Sequence, residues 1–270
     1  MISRAERSAN YAVLLLFAVI ALFPVALILT TALSPDAIGA GGSALSLEFG
    51  NFAEAWNQGR FGSYMRTSVI VAVLVVTLST VFSIMAGYAF GTMNFRGSQV
   101  IFYVLLLGIM VPAEALVVAL YFDLRTLGLT NTLVAIVMPQ VAQSVAFGTV
   151  WMRTYFRSSS REVVEAARID GAGHWRTLWG VLVPMGRPAI TTMIVLVFMW
   201  TWNEFLIPLI MATDESLRTA PLGLAFFQGQ YTAGTSLLAA GAVLVAVPVV
   251  LVYLVLQRHF IRGMVEGAVK

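Results

Sequence analysis

Charged residues fall along this chain in clusters, with long apolar runs between them. Residues 8–35, 67–95, 126–152 and 219–257 contain no Asp, Glu, Lys or Arg, and 97–122 and 188–213 contain one glutamate each, Glu114 and Glu204. A helix needs about 20 mostly apolar residues to cross a bilayer. The runs therefore predict six spanning helices, near 11–31, 68–90, 99–122, 132–153, 188–211 and 236–257. Helices are the expected element because lipid offers no partners to backbone N–H and C=O groups. The ten-residue alternation of an outer-membrane barrel is not visible. The expectation is an all-α polytopic protein with a single transmembrane domain over residues 1–270.

Basic residues give the orientation. With the amino terminus inside, the inner side holds Arg4, Arg7, Arg96, Arg153, Arg157, Arg161, Arg168, Arg176, Arg187, Arg258, Arg262 and Lys270. The outer side holds Arg60, Arg66, Arg125 and Arg218. Twelve against four is a positive-inside bias, which places both termini in the cytoplasm. Arg4 and Arg7 precede the first apolar run as they would in a secretory signal. The run from Tyr11 to Leu33 is longer than the roughly 7–15 residues of a signal core, so it reads as an uncleaved first helix.

Composition narrows the function classes. Of 270 residues, 59% are hydrophobic and 11% charged. Soluble domains carry about a quarter charged residues. A soluble enzyme and a disordered chain are both excluded. The absence of cysteine removes disulfides, thiolate metal sites and a cysteine nucleophile. The two histidines, His174 and His259, stand apart from each other and from any ligand pattern, so no metal site is expected. The pI of 9.4 follows from topology, and no nucleic-acid partner is implied.

The segments between spans differ in character. In 34–66, Gly39, Gly41 and Gly42 mark a flexible part, and Phe49 to Trp56 reads as a short interfacial helix with Trp56 and Tyr64 at headgroup level. Segment 212–235, with Pro221, Gly223, Gly229 and Gly234, reads as an irregular loop. Gly87 and Gly91 have the spacing that lets two helices approach closely. The inner loop, about 154–187, is the most patterned. Ser159 and Glu162 have capping-box spacing, predicting a helix from about Arg161. Val163, Val164, Ala167 and Ile169 give it an apolar face, and Asp170-Gly171 ends it. Trp175, Leu178, Trp179 and Leu182 predict a second short helix, stopped by Pro184 and Pro188. Such a pair suits either the lipid surface or a docking protein.

Glu165-Ala166-Ala167, then Asp170-Gly171-Ala172-Gly173, with Pro184 eleven residues beyond, resembles the EAA loop of permease subunits of bacterial ABC importers. In particular it is similar to the carbohydrate-uptake family that includes the maltose/maltodextrin permeases. Met110-Val111-Pro112 with Leu120-Tyr121, Leu127 to Thr132, Trp202-Asn203-Glu204-Phe205, and the tail Gln257 to Gly263 and Gly267 to Lys270 resemble further family patterns in the same order. Departures are Gly173 for a usual Ser or Thr, Leu178 for Phe, Ala119 for a proline, which implies a less kinked third span, and Glu114 for a common amide.

The resemblance implies a multi-pass subunit of the bacterial cytoplasmic (inner) membrane. It would pair with a second permease, usually as a heterodimer, on two ATPase subunits, and receive solute from an extracytoplasmic binding protein. The Glu165–Gly173 loop (Glu165, Ala166, Ala167, Asp170, Gly171, Ala172, Gly173) would dock on the ATPase as a coupling helix, and Gln257, Arg258 and Arg262 would touch it from the tail. The chain would bind no cofactor itself, ATP and magnesium residing on the partner. Independently, no phosphate-cradling G-x-x-x-x-G-K-[ST] loop exists here, and the only lysine is Lys270.

Candidate pathway residues are Glu114, Gln140, Gln143, Trp202, Asn203 and Glu204. An ionisable group within a span costs roughly 3 kcal/mol to insert and marks a solute path or a structural pair. Glu114 follows Pro112, and broken helices often flank transport sites. Trp202 and Asn203 offer a stacking face and an amide for sugar hydroxyls, or anchor the interface. The expected function is one half of a sugar or oligosaccharide pathway. A glycerol-3-phosphate or polyol importer, motivated by Glu114, is the alternative. A stand-alone secondary transporter would show inverted repeats, and none is visible. A membrane enzyme would need a nucleophile–base pair or metal cluster, and none can be assembled.

Overall fold

The computed structural model describes residues 4–35, 47–158, 161–230 and 235–268. In chain order the helices are α1 (Arg4–Ala32), α2 (Gly50–Gln58), α3 (Phe61–Thr92), α4 (Ser98–Met110), α5 (Ala113–Thr126), α6 (Leu133–Ser158) and α7 (Arg161–Ile169). They continue as α8 (His174–Met185), α9 (Arg187–Asn203), α10 (Leu206–Met211), α11 (Ala220–Gln230) and α12 (Thr235–Ala268). No strand occurs among the described residues. Four helices, α1, α3, α6 and α12, contain a stretch long and apolar enough to cross a membrane, and six spans result if the bent pairs α4–α5 and α8–α9 each count as one. The all-α, multi-span expectation holds.

Two of the predicted spans are not continuous helices. The third is broken between α4 and α5, which meet at 104°. Pro112, with ψ 128°, stands at the break; its preceding residue Val111 is extended too, as a residue before proline tends to be. Ala119 lies within unbroken α5, so the missing proline leaves that half straight while Pro112 bends the span upstream. The predicted fifth span, 188–211, is a 17-residue helix that stops at Asn203, followed by an extended Glu204 and the short α10.

The contacts divide the chain into two compact units, Met1–Ser63 with Gly223–Val247, and Tyr64–Leu222 with Pro248–Lys270. In the first unit, Asn51 Nδ2 donates to the carbonyls of Ala32 (2.9 Å) and Ser34 (3.0 Å). This ties α2 to the end of α1, whose last carbonyls have no helical partner of their own. Ala32, Ala55, Phe227, Leu237 and Ala240 form its small core, and the Phe61 ring lies edge-on to Phe227 at 5.8 Å. Most of α1 is apolar on all sides and exposed, as suits a helix solvated by lipid or another chain. The helix α2 meets the prediction over 49–56.

The irregular loop expected over 212–235 is instead largely helical, with a 3-10 turn at Glu215–Leu217 and α11 at Ala220–Gln230. Leu222 and Phe227 are buried, so tertiary burial of apolar residues overrides the glycines and proline that suggested a loop. Gly234 lies outside the described residues.

In the second unit, α3, α6 and α9 pack around Val71, Val75, Ile84, Ile136, Met152 and Met193. The Gly87/Gly91 pair sits at the α3–α6 crossing. A Cβ at Gly87 would lie 2.5 Å from Met152 Cβ, and one at Gly91 3.0 Å from Phe156 Cβ. Across the same crossing, a Cβ at Gly148 would meet the Ser83 side chain. Tyr64 is not a headgroup anchor: it is buried, and its hydroxyl is 2.9 Å from Glu215 Oε1.

Two helices in this unit end in the same way. Ala172 N–H bonds the Ala167 carbonyl (2.9 Å) and Gly171 N–H that of Arg168 (3.0 Å). Leu129 and Gly128 do the same with Leu124 (2.9 Å) and Arg125 (3.0 Å). Both are Schellman closures, which need a left-handed residue, and Gly171 (φ 77°) and Gly128 (φ 68°) supply it. Asn131, also left-handed at φ 61°, donates its N–H to the Met211 carbonyl (2.8 Å) and accepts from Asp214 N–H through Oδ1 (2.8 Å). The α5–α6 loop is thereby clasped to the end of α10. The Ser216 N–H held by Asp214 keeps that carboxyl below its ordinary range.

Candidate functional site

The two breaks, at Pro112 and at Glu204, open onto one cleft of about 620 Å³. Four helices line it, with Gly108 and Ile109 coming from the end of α4. Glu114 comes from the first turn of α5. Gln140, Gln143, Ser144 and Phe147 come from α6, and Leu196, Met199, Trp200 and Asn203 from α9. Both quartets have the spacing of positions 0, 3, 4 and 7, which is one face of a helix. The sequence names five of the lining residues, Glu114, Gln140, Gln143, Asn203 and Glu204, and the structure brings them together.

Trp202 is placed elsewhere. It is buried beside Phe198, rings 5.6 Å apart, and lines a separate, smaller apolar cavity with Val69, Val73 and Val76 of α3. The cleft's tryptophan is Trp200, 50% exposed, with its ring 4.8 Å from that of Phe147 in an edge-on contact. Reading helical phase back from Asn203 would have found it: positions 196, 199 and 200 share the face of 203, whereas 202 is turned well away.

The polar groups of the cleft have defined roles. Glu204 Oε1 accepts from the N–H groups of Leu206 (2.9 Å) and Ile207 (3.0 Å). It thereby caps α10, whose first donors have no helical partners. Asn203 Nδ2 donates to the Met199 carbonyl (2.8 Å), and Gln140 Nε2 to that of Ile136 (2.9 Å). Gln140 is 4% exposed, and its Oε1 has no partner among the described residues.

A second site lies at the end carrying the 154–187 loop. Helix α7 starts at Arg161 as predicted; Ser159, its expected cap, lies outside the described residues. Val164 and Ala167 face inward, and Glu165, Ala166, Asp170, Gly171 and Gly173 are exposed, with Ala172 half-buried. Ile169 is 87% exposed and so does not belong to the apolar face. It is the last residue of α7, where the chain already turns into the Schellman closure. In α8, Leu178 and Leu182 are buried, whereas Trp175 is 66% exposed. Pro184 does not stop this helix, which runs to Met185. A proline lacks the N–H and crowds the carbonyl four residues back, and the preceding turn, Thr177–Leu182, is a wider π turn. Gly173 is extended and opens α8 with no side-chain cap.

This loop is anchored to the helices behind it. Tyr88 of α3 and His174 Nδ1 of α8 are 3.0 Å apart, and their rings meet edge-on. Arg153 of α6 lies over the Phe102 ring of α4 (3.8 Å) and donates to the Phe90 carbonyl (3.3 Å). Gln257, in the tail, donates to the Leu254 carbonyl (3.1 Å); Arg258 is exposed, and the Arg262 side chain lies outside the described residues. No group of three or more His, Cys, Asp or Glu that could hold a metal occurs among the described residues.

Residues 80–266 match the family described as the binding-protein-dependent transport system inner membrane component. The chain belongs to this family. As a permease it is a transport subunit of the inner membrane and works with a solute-binding protein. It is 36% identical to the probable ABC transporter permease protein YurM of Bacillus subtilis over 220 residues, covering 82% of this chain and 73% of that protein. It is 32% identical to the diacetylchitobiose uptake system permease protein NgcG of Streptomyces coelicolor over 268 residues, covering 96% and 87%. Its fold matches, with a TM-score of 0.82 and 25% identity over 96% of this chain and 99% of the other, a chain in the crystal structure of a bacterial ABC transporter involved in import of the acidic polysaccharide alginate.

Proposed function

We propose that this permease forms half of the translocation path of an ABC importer for a sugar or oligosaccharide. The cleft is the observation that carries the reading. Two broken helices bring amides, carboxylates, hydroxyls and an exposed tryptophan to one concave surface. Hydroxyl-rich solutes are held by such hydrogen-bonding groups around an aromatic face. The names of relatives support the solute class, among them NgcG and the trehalose permease SugB of Mycobacterium tuberculosis, 29% identical over 98% of this chain.

In this reading Glu165 to Gly173 docks on an ATPase subunit, with Gln257, Arg258 and Arg262 as tail contacts. ATP and magnesium belong to the ATPase pair, and this chain binds no cofactor. A second permease completes the path, and both termini face the cytoplasm. The exposed Ile169 and Trp175 flank the closed turn at Gly171 and supply apolar surface for docking. The Tyr88–His174 contact links that surface to α3.

The test is purification of the tagged chain from native membranes in mild detergent, with mass spectrometry of what accompanies it. Recovery of a P-loop ATPase and a second polytopic subunit is expected. Recovery of the chain alone, before and after crosslinking, would refute the assembly.

A further inference from the structure

Resting on the reading of the cleft as the solute path, we propose that the cleft is a charge filter: it admits saccharides without an anionic group, neutral or amine-bearing, and opposes uronates and sugar phosphates. The cleft's charged lining consists of Glu114 and Glu204, with no Lys, Arg or His. The amides add to this bias. Asn203 and Gln140 both turn their NH₂ groups onto the carbonyl four residues back in their own helices. The assignment is fixed by the partner, since a carbonyl oxygen can only accept. Their oxygens are left as acceptors, and Gln140 Oε1 is buried without a partner.

A buried acceptor without a donor is costly, so this one calls for a donor from outside the chain. Sugar hydroxyls and ammonium groups donate; a carboxylate or phosphate brings only further acceptors and negative charge. Glu204 uses one oxygen to cap α10 and so holds its carboxylate at the cleft wall. A chain of the transporter involved in import of the acidic polysaccharide alginate shares the fold, so the fold by itself does not set the charge of the solute.

The chain has no cysteine, so Gln143→Cys places a single thiol of this subunit in the cleft. In the assembled importer, with any partner-subunit cysteines replaced, the thiol is reacted with a trimethylammonium and with a sulfonate methanethiosulfonate reagent. The ratio of the two rates cancels the thiol's own reactivity and reports the local field. We expect the ratio to exceed that of a free thiol by about tenfold, the order expected of two carboxylates lining the same cleft as the thiol. It should fall severalfold in Glu114→Gln and Glu204→Gln backgrounds. A ratio equal to the free thiol's, or unmoved by both glutamine variants, overturns the filter. Met199→Cys serves as a second reporter if the first variant does not assemble. The path reading is tested separately in the same samples: solute delivered by the binding protein should slow modification by both reagents. Absence of that protection with the ratio intact would refute the path and keep the field.

Discussion

Glu204 both caps a helix and lines the cleft proposed as the solute path. Its carboxylate caps α10, so the two roles separate by substitution. Glu204→Gln keeps an oxygen acceptor and should leave thermal stability in detergent nearly unchanged, whereas Glu204→Ala should cost about 1 kcal/mol, the usual worth of a helix cap. A larger loss in the glutamine variant would mean that the charge itself is structural. The two tryptophans divide likewise. Trp202→Ala removes a buried ring and should destabilise by about 3–5 kcal/mol. Trp200→Ala removes a half-exposed ring from the cleft and should leave the melting temperature near wild type while lowering uptake. Equal stability losses in the two variants would contradict their placement. The sequence pattern Trp202-Asn203-Glu204-Phe205 points to Trp202; helical phase relative to Asn203 points to Trp200.

Elements in this protein are set by where helices stop and how closely they cross. The α3–α6 crossing depends on Gly87, whose added Cβ would sit 2.5 Å from Met152 Cβ and 2.9 Å from the Arg153 backbone nitrogen. Backbone cannot yield as a flexible side chain does. Gly87→Ala should destabilise by about 1–3 kcal/mol in thermal unfolding, and Gly87→Leu should reduce the folded yield in membranes. A neutral Gly87→Leu would show that the crossing is looser than described. Helix ends were legible where local chemistry decides them: the start of α7 at Arg161 and its closure at Gly171 follow from nearby residues alone. The break at Pro112 was legible as a suspicious proline but not as a 104° turn. The helix at Ala220–Gln230 was not legible, because its buried residues find their partners far away in sequence, and a wider π turn forms where Pro184 alone predicts a stop.

At the scale of the whole permease, the second unit contains both the cleft and the loop proposed to dock, joined through α3, α6 and α9. A lever of this kind transmits force only if its tip is rigid. Gly171→Pro removes the N–H bonded to Arg168 and demands a negative φ where the backbone holds 77°. Glu165→Lys reverses a charge on the exposed face of α7. In the reconstituted importer both variants should insert normally and hydrolyse ATP without proportionate uptake. Normal uptake in both would argue against docking by this loop.

Local stretches of the chain set the membrane-spanning, all-α character, the positions of most spans, the closing turn at Gly171 and the family pattern. These are properties of local composition, periodicity and special backbone residues, and lipid enforces them by forbidding unpaired backbone groups. The tertiary structure alone decided which of those residues meet. It turned Trp202 into core and Trp200 into cleft, buried Tyr64 against Glu215, and fitted Gly87 against Met152. Each outcome depends on the rotation of one helix against another. That rotation is fixed by the fit of side chains distant in sequence, which no single stretch of chain encodes.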